Sequence, residues 1–108
     1  MEPEELLPLS SAEFHILVAL AGGDLHGYAI MQEIEMRSGG KLRMRAGTLY
    51  GCIHRMLERG WVVELPEDER RRYYRLTPFG RKVAKAEAGR LAEMLKQARE
   101  HGLAPKRG

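Results

Sequence analysis

The stretch Gly40–Gly80, GKLRMRAGTLYGCIHRMLERGWVVELPEDERRRYYRLTPFG, decides the fold, because its hydrophobic period changes once along its length. Within AGTLYGCIHRMLERG, the apolar residues Leu49, Ile53, Met56 and Leu57 fall at the i, i+4, i+7, i+8 spacing of a helix with one buried side. Gly60 supplies the left-handed stop. Beyond it, WVVEL and RYYRL are short, rich in β-branched and aromatic residues, and separated by PEDERRR. That pattern predicts a hairpin with a charged loop at its tip. Tyr74 and Leu76 share one side of the second strand, so Tyr74 is expected inside and Tyr73 at the surface. Trp61 is expected to pack at the hairpin base.

Two helices precede this stretch and one follows it. Ser10 and Glu13 have the spacing of a capping box, with Leu9 and Phe14 as the matching hydrophobic staple. Ile16, Leu17, Leu20 and Ala21 then form a core stripe that ends at Gly22-Gly23. DLHGYAIMQEIEMRSGG reads as the second helix, with Ile30, Met31 and Ile34 on one side and Tyr28 close by as a packing residue. Thr77-Pro78 opens the last helix, a capping hydroxyl followed by proline at the first helical position. That helix is expected to reach about His101. Along it, Ala84, Ala88, Leu91, Leu95 and Ala98 recur at spacings of 4, 3, 4 and 3, a heptad seam suited to a partner helix.

Composition narrows the function. The chain has 108 residues, 44% hydrophobic and 31% charged, which is enough for one domain with a modest core. No apolar run approaches the roughly 20 residues of a membrane span, and the start MEPEELLPLS lacks the pattern of a signal peptide. A cytoplasmic protein with no membrane partner is expected. Cys52 is alone, and His15, His26, His54 and His101 have no metal-ligand spacing. Neither a nucleophile–base pair nor a glycine-rich phosphate loop is present, so no enzyme, metal or cofactor is expected.

The net charge of +3 conceals an uneven distribution. Residues 1–36 hold seven acidic residues and no Lys or Arg; residues 37–76 hold ten basic and five acidic; residues 77–108 hold eight basic and three acidic. Such asymmetry suits a polyanionic partner for the middle of the chain. Three helices followed by a hairpin is the winged helix-turn-helix plan, in which one helix enters the DNA major groove. The fold class expected is mainly α with a small β-hairpin: a winged-helix domain over 9–76 and a dimerisation helix over 77–101. Residues 1–8 and 102–108 are expected to be flexible ends.

On this plan the third helix turns Thr48, Tyr50, His54 and Arg55 toward double-stranded DNA. Arg43 and Arg45 lie just ahead of it, and Arg70, Arg71 and Arg72 sit at the wing tip. Several of these have a structural alternative. Thr48 and Tyr50 could pack against the hairpin, and Arg55 could pair along the helix with Glu58. The arginine triplet could be a solvated loop balanced by Glu67, Asp68 and Glu69. Arg59, near the helix C-terminus, reads as a stabilising cation there.

LHGYAIMQEI, AGTLYGCIHRMLERGWV and RRRYYRLTPFG, in this order, resemble the PadR family of transcriptional regulators. The resemblance covers roughly Leu9 to Leu95. It implies a dimeric transcription factor, usually a repressor, whose third helix and wing bind a pseudo-palindromic operator. It further implies dimerisation through the C-terminal helix and release by a small-molecule effector or stress signal. Gly51 stands where family members commonly carry proline; glycine inside a helix costs about 1 kcal/mol. The competing expectation is a winged-helix module that binds protein within a larger assembly.

Overall fold

The computed structural model describes residues 2–66 and 71–105. Arg70 and the three acids before it lie outside the described residues, as do Met1 and residues 106–108. The elements run α1 (Ser11–Ala21), β1 (Leu25–His26), α2 (Gly27–Arg37), α3 (Ala46–Glu58), β2 (Val62–Leu65), β3 (Tyr73–Leu76) and α4 (Pro78–Glu100). This is the winged-helix arrangement, with one addition. The sheet has three antiparallel strands in the order β1-β3-β2, not two. Leu25 pairs with Tyr74 and His26 with Tyr73, so the residues just before α2 form the wing's third strand. Two residues are too short a run to show a strand period in sequence.

The helix starts follow their local chemistry. Ser10 Oγ accepts from the Glu13 N–H at 3.1 Å, and a Glu13 carboxylate oxygen accepts from the Ser10 N–H at 2.9 Å, the expected capping box. His26 caps α2 through Nδ1, which accepts from the Ala29 N–H at 3.2 Å. Thr77 Oγ1 caps α4 by accepting from the Gly80 N–H.

The core gathers Ile16, Leu17, Ala19 and Leu20 of α1, Ile30 and Ile34 of α2, and Leu49, Cys52, Ile53 and Met56 of α3. Trp61, Val62, Tyr74, Leu76 and Val83 complete it. Ala19 takes the inward position of α1 that the sequence pattern assigned to Ala21, which is exposed. Tyr74 is buried as its strand phase requires.

Four chain segments meet at Gly60-Trp61. The Trp61 N–H donates to the Met56 carbonyl at 2.9 Å, closing α3. The Trp61 carbonyl accepts from the Thr77 N–H at 3.0 Å, and Thr77 Oγ1 donates to the Gly60 carbonyl at 2.6 Å. Gly80, in the first turn of α4, lies directly on this junction. A Cβ there would overlap the Trp61 carbonyl oxygen and sit 2.9 Å from its carbon. Only glycine lets α4 approach so closely.

The segment 1–8 contains a 3-10 helix, Pro3–Leu6, packed against α4. It is fastened by a buried carboxylate. Glu87 is 2% exposed; one of its oxygens accepts from the Leu9 N–H at 3.1 Å, and Arg90 makes a bidentate pair with both. The Arg90 hydrogen bond, reinforced by the Leu9 N–H, holds the Glu87 carboxyl below its ordinary range despite burial. A carboxylate with a depressed folded value stabilises the fold above the unfolded value, and that stabilisation is lost as pH falls through the folded one.

Two outcomes follow in urea denaturation. Gly80→Ala should lose roughly 1–3 kcal/mol from overpacking against backbone. Glu87→Gln should be less stable than the parent at neutral pH, and the gap should close as the solution is acidified below about pH 4.

Candidate nucleic-acid interface

α3 separates its two sides cleanly. Leu49, Cys52, Ile53 and Met56 are buried, whereas Thr48, Tyr50, His54 and Arg55 are exposed. Thr48 is open to solvent, while Tyr50, 48% exposed, keeps one side against the hairpin residues Arg71, Arg72 and Tyr74. Arg55 does not pair with Glu58; its Nη2 donates to Cys52 Sγ at 3.4 Å, a weak contact. Glu58 instead faces His54 at 3.7 Å. Gly51 is partly buried, and a Cβ there would meet nothing closer than the Arg55 side chain at 3.8 Å.

The charge asymmetry of the sequence is partly spent within the molecule. Four arginines of the basic middle section reach back to acids of the first 36 residues. Arg37 pairs with Glu33 at 2.8 Å, Arg43 with Glu35 at 3.4 Å, Arg59 with Glu13 at 3.5 Å and Arg75 with Asp24 at 2.7 Å. The Arg75 pair is bidentate, and its hydrogen bond holds the Asp24 carboxyl below the ordinary range. Arg59 also lies 5.3 Å over the Trp61 ring, so it braces the hairpin base as well as ending α3. Among the described residues, Arg45, Arg55, Arg71 and Arg72 form no ion pair with an acid. All four are exposed.

Two of them, Arg71 and Arg72, share with α3 a notch of about 500 Å³. His26, Gly27, Tyr28, Tyr50, Arg71, Arg72 and Tyr74 line it. Glycine at 27 leaves room for the Tyr50 ring end: a Cβ there would lie 2.8 Å from Tyr50 Cζ and overlap its hydroxyl, so Tyr50 would have to shift. Arg71 Nη1 comes within 3.1 Å of His26 Nε2. The His26 ring also meets the Tyr73 ring edge-on, with centroids 5.3 Å apart. Tyr28, expected as packing, is 62% exposed at the rim. Sequence reading passed over His26 because no metal or catalytic partner lies near it in sequence; His-Gly at a helix start was the available signal.

The seam residues of α4 divide. Ala84 and Ala98 are partly buried, whereas Ala88, Leu91 and Leu95 are exposed, the last two at 38% and 41%. Met94, 53% exposed, widens the apolar strip. The fold itself covers α4 only on the Val83–Glu87 side. Among the described residues no cluster of three His, Cys, Asp or Glu is placed to hold a metal, and no helix is long and apolar enough to cross a membrane.

A family model described as the transcriptional regulator PadR-like family matches residues 16–86. An uncharacterized 37.1 kDa protein in transposon TN4556 of Streptomyces fradiae is 41% identical over 85 residues. That match takes in 79% of this chain and 24% of the other, so the chain spans about a quarter of the relative's length. A transcriptional regulator from Clostridium thermocellum superposes with a TM-score of 0.75 at 28% identity, covering 86% of this chain and 97% of that one. PadR of Bacillus subtilis, solved in complex with operator DNA, superposes at 0.63 over 70% of this chain and 45% of its own; at 19% identity it shows a shared fold.

Burial pushes the Cys52 thiol above its ordinary value, against a smaller opposing effect of Arg55. The thiolate is therefore scarce at neutral pH. Cys52 should react with a disulfide reagent at least roughly tenfold more slowly in the native protein than in denaturant. Stopped-flow absorbance measures both rates.

Proposed function

The chain belongs to the PadR-like family of transcriptional regulators, and from that premise we propose that it is a homodimeric repressor of a pseudo-palindromic operator, with a small-molecule effector controlling its grip. One observation carries the DNA-binding part. The exposed side of α3 and the uncommitted arginines of the wing meet at one notch, so Tyr50 stands beside Arg71 and Arg72. A helix with a polar outer side and cations on its flank suits a major groove bordered by phosphates. The B. subtilis protein of this fold was solved with operator DNA, which supports the reading.

In this proposal Thr48, His54 and Arg55 face base edges. Arg43, Arg45, Arg71 and Arg72 hold phosphates, Arg43 after giving up an exposed pair worth about 0–1 kcal/mol. Arg70 extends the wing contact. Arg55 leaves only a sulfur contact to reach a guanine. The strip Ala84, Ala88, Leu91, Leu95 and Ala98, with Met94, meets its twin in the second protomer. Two heads then read half-sites about 34 Å apart or a multiple of that. Occupancy of the operator excludes the transcription machinery.

Selection of bound duplexes from a random pool tests the whole proposal; a symmetric site with two half-sites is the expected product. Affinity for random duplex should fall steeply with salt, and a flat response would favour a protein-binding module. Arg55→Ala should cost roughly 1–3 kcal/mol on the selected site and relax preference at one base pair per half-site. Leu91→Glu combined with Leu95→Glu should yield monomers by sedimentation; persistent dimers would place the interface elsewhere.

A further inference from the structure

The His26 ring is held in one tautomer, and that tautomer faces the wrong partner. Nδ1 accepts from the Ala29 N–H, so it carries no proton and the ring's hydrogen sits on Nε2. Nε2 lies 3.1 Å from Arg71 Nη1, and a guanidinium has only donors. Two N–H groups are thus aimed into the same small space, where neither satisfies the other. The ring cannot turn away without abandoning the α2 cap, and Tyr73 braces its edge. The Tyr50 hydroxyl, seated over Gly27, lines the same notch, as do Arg72 and Tyr28.

Donors from three separate elements line this notch, where the side-chain acceptors are only neutral tyrosine hydroxyls and no carboxylate answers the arginines, and such a setting suits an anionic oxygen. The geometry points to a single backbone phosphate of the bound duplex, gripped by His26 Nε2–H and Arg71 together with the Tyr50 hydroxyl and Arg72. The assignment rests on the DNA-binding reading above and adds His26 to it. It gives His26 two tasks, capping α2 with one nitrogen and contacting DNA with the other. A side chain at residue 27 would displace the Tyr50 hydroxyl that helps line the notch.

The test separates those tasks. Asn at position 26 still caps a helix but lacks the far N–H. His26→Asn should keep native helicity and thermal stability, yet bind operator and random duplex about tenfold more weakly, since no base is read. Arg71→Gln should do the same and lower the slope of log affinity against log salt by about one, whereas His26→Asn, which removes a neutral donor, should leave the slope unchanged. The two losses should not add in the double variant, because both groups serve one phosphate.

A scan with single neutral methylphosphonates along the selected site locates that phosphate. One position per half-site should weaken the parent protein about tenfold and the double variant distinctly less, since Arg72 and Tyr50 keep their part of that contact. A free phosphate monoester would suit the same donors. If the notch serves that instead, both single variants will bind duplex as the parent does and the scan will show no position special to them, which overturns the assignment. Failure of the parent to bind any duplex would instead defeat the broader DNA-binding reading.

Discussion

The structure depends on one close contact, that of Gly80 against the Trp61 carbonyl. Through it the end of α3, both strands of the hairpin and the start of α4 are fixed to one another. The wing can present Arg71 and Arg72 beside Tyr50 only if β2 leaves α3 at a set angle, and the Gly60-Trp61 turn sets it. Met56, Gly60, Trp61 and Thr77 exchange the hydrogen bonds that hold this turn. Trp61, 1% exposed, fills the space beneath, and Arg59 covers its ring. A side chain at position 80 would push α4 and the hairpin apart together.

What could be read from the sequence was whatever repeats at short range. The 3.6 period located most of the buried sides of α1, α2 and α3, missing Ala19 and Cys52, the alternation in RYYRL put Tyr74 inside, and Ser10–Glu13 and Thr77-Pro78 marked helix starts to the residue. What could not be read depends on distance. Glu87 is inside because Leu9, 78 residues away, and Arg90 complete its bonding, and no local pattern marks it. β1 exists because β3 offers it an edge. The notch around His26 joins positions 26, 50 and 71, which only the fold brings together.

Charge shows the same division between local and distant. In sequence, the middle section carries ten basic residues against five acidic ones. In space, Glu13, Asp24, Glu33 and Glu35 draw off four of its arginines to brace α1, α2 and β3. The acidic first third is thus a counterweight that dedicates part of the basic residues to structure and leaves Arg45, Arg55, Arg71 and Arg72 without an acid partner among the described residues. Counting charges overstates the surface field; tracing each cation to its partner locates where that field remains.

The second half of α4 carries a different implication. After Glu87 no residue of this helix is fully buried, and Leu91, Met94 and Leu95 face outward. A solitary helix of a dozen residues is only marginally stable in water, because nucleation is unfavourable and each added residue gains little. The Gly102 turn, in which the Leu103 N–H donates to the Ala98 carbonyl at 2.8 Å, caps the far end but supplies no packing. Under the proposed dimerisation, the order of this part of α4 and the covering of its apolar strip become two sides of one equilibrium.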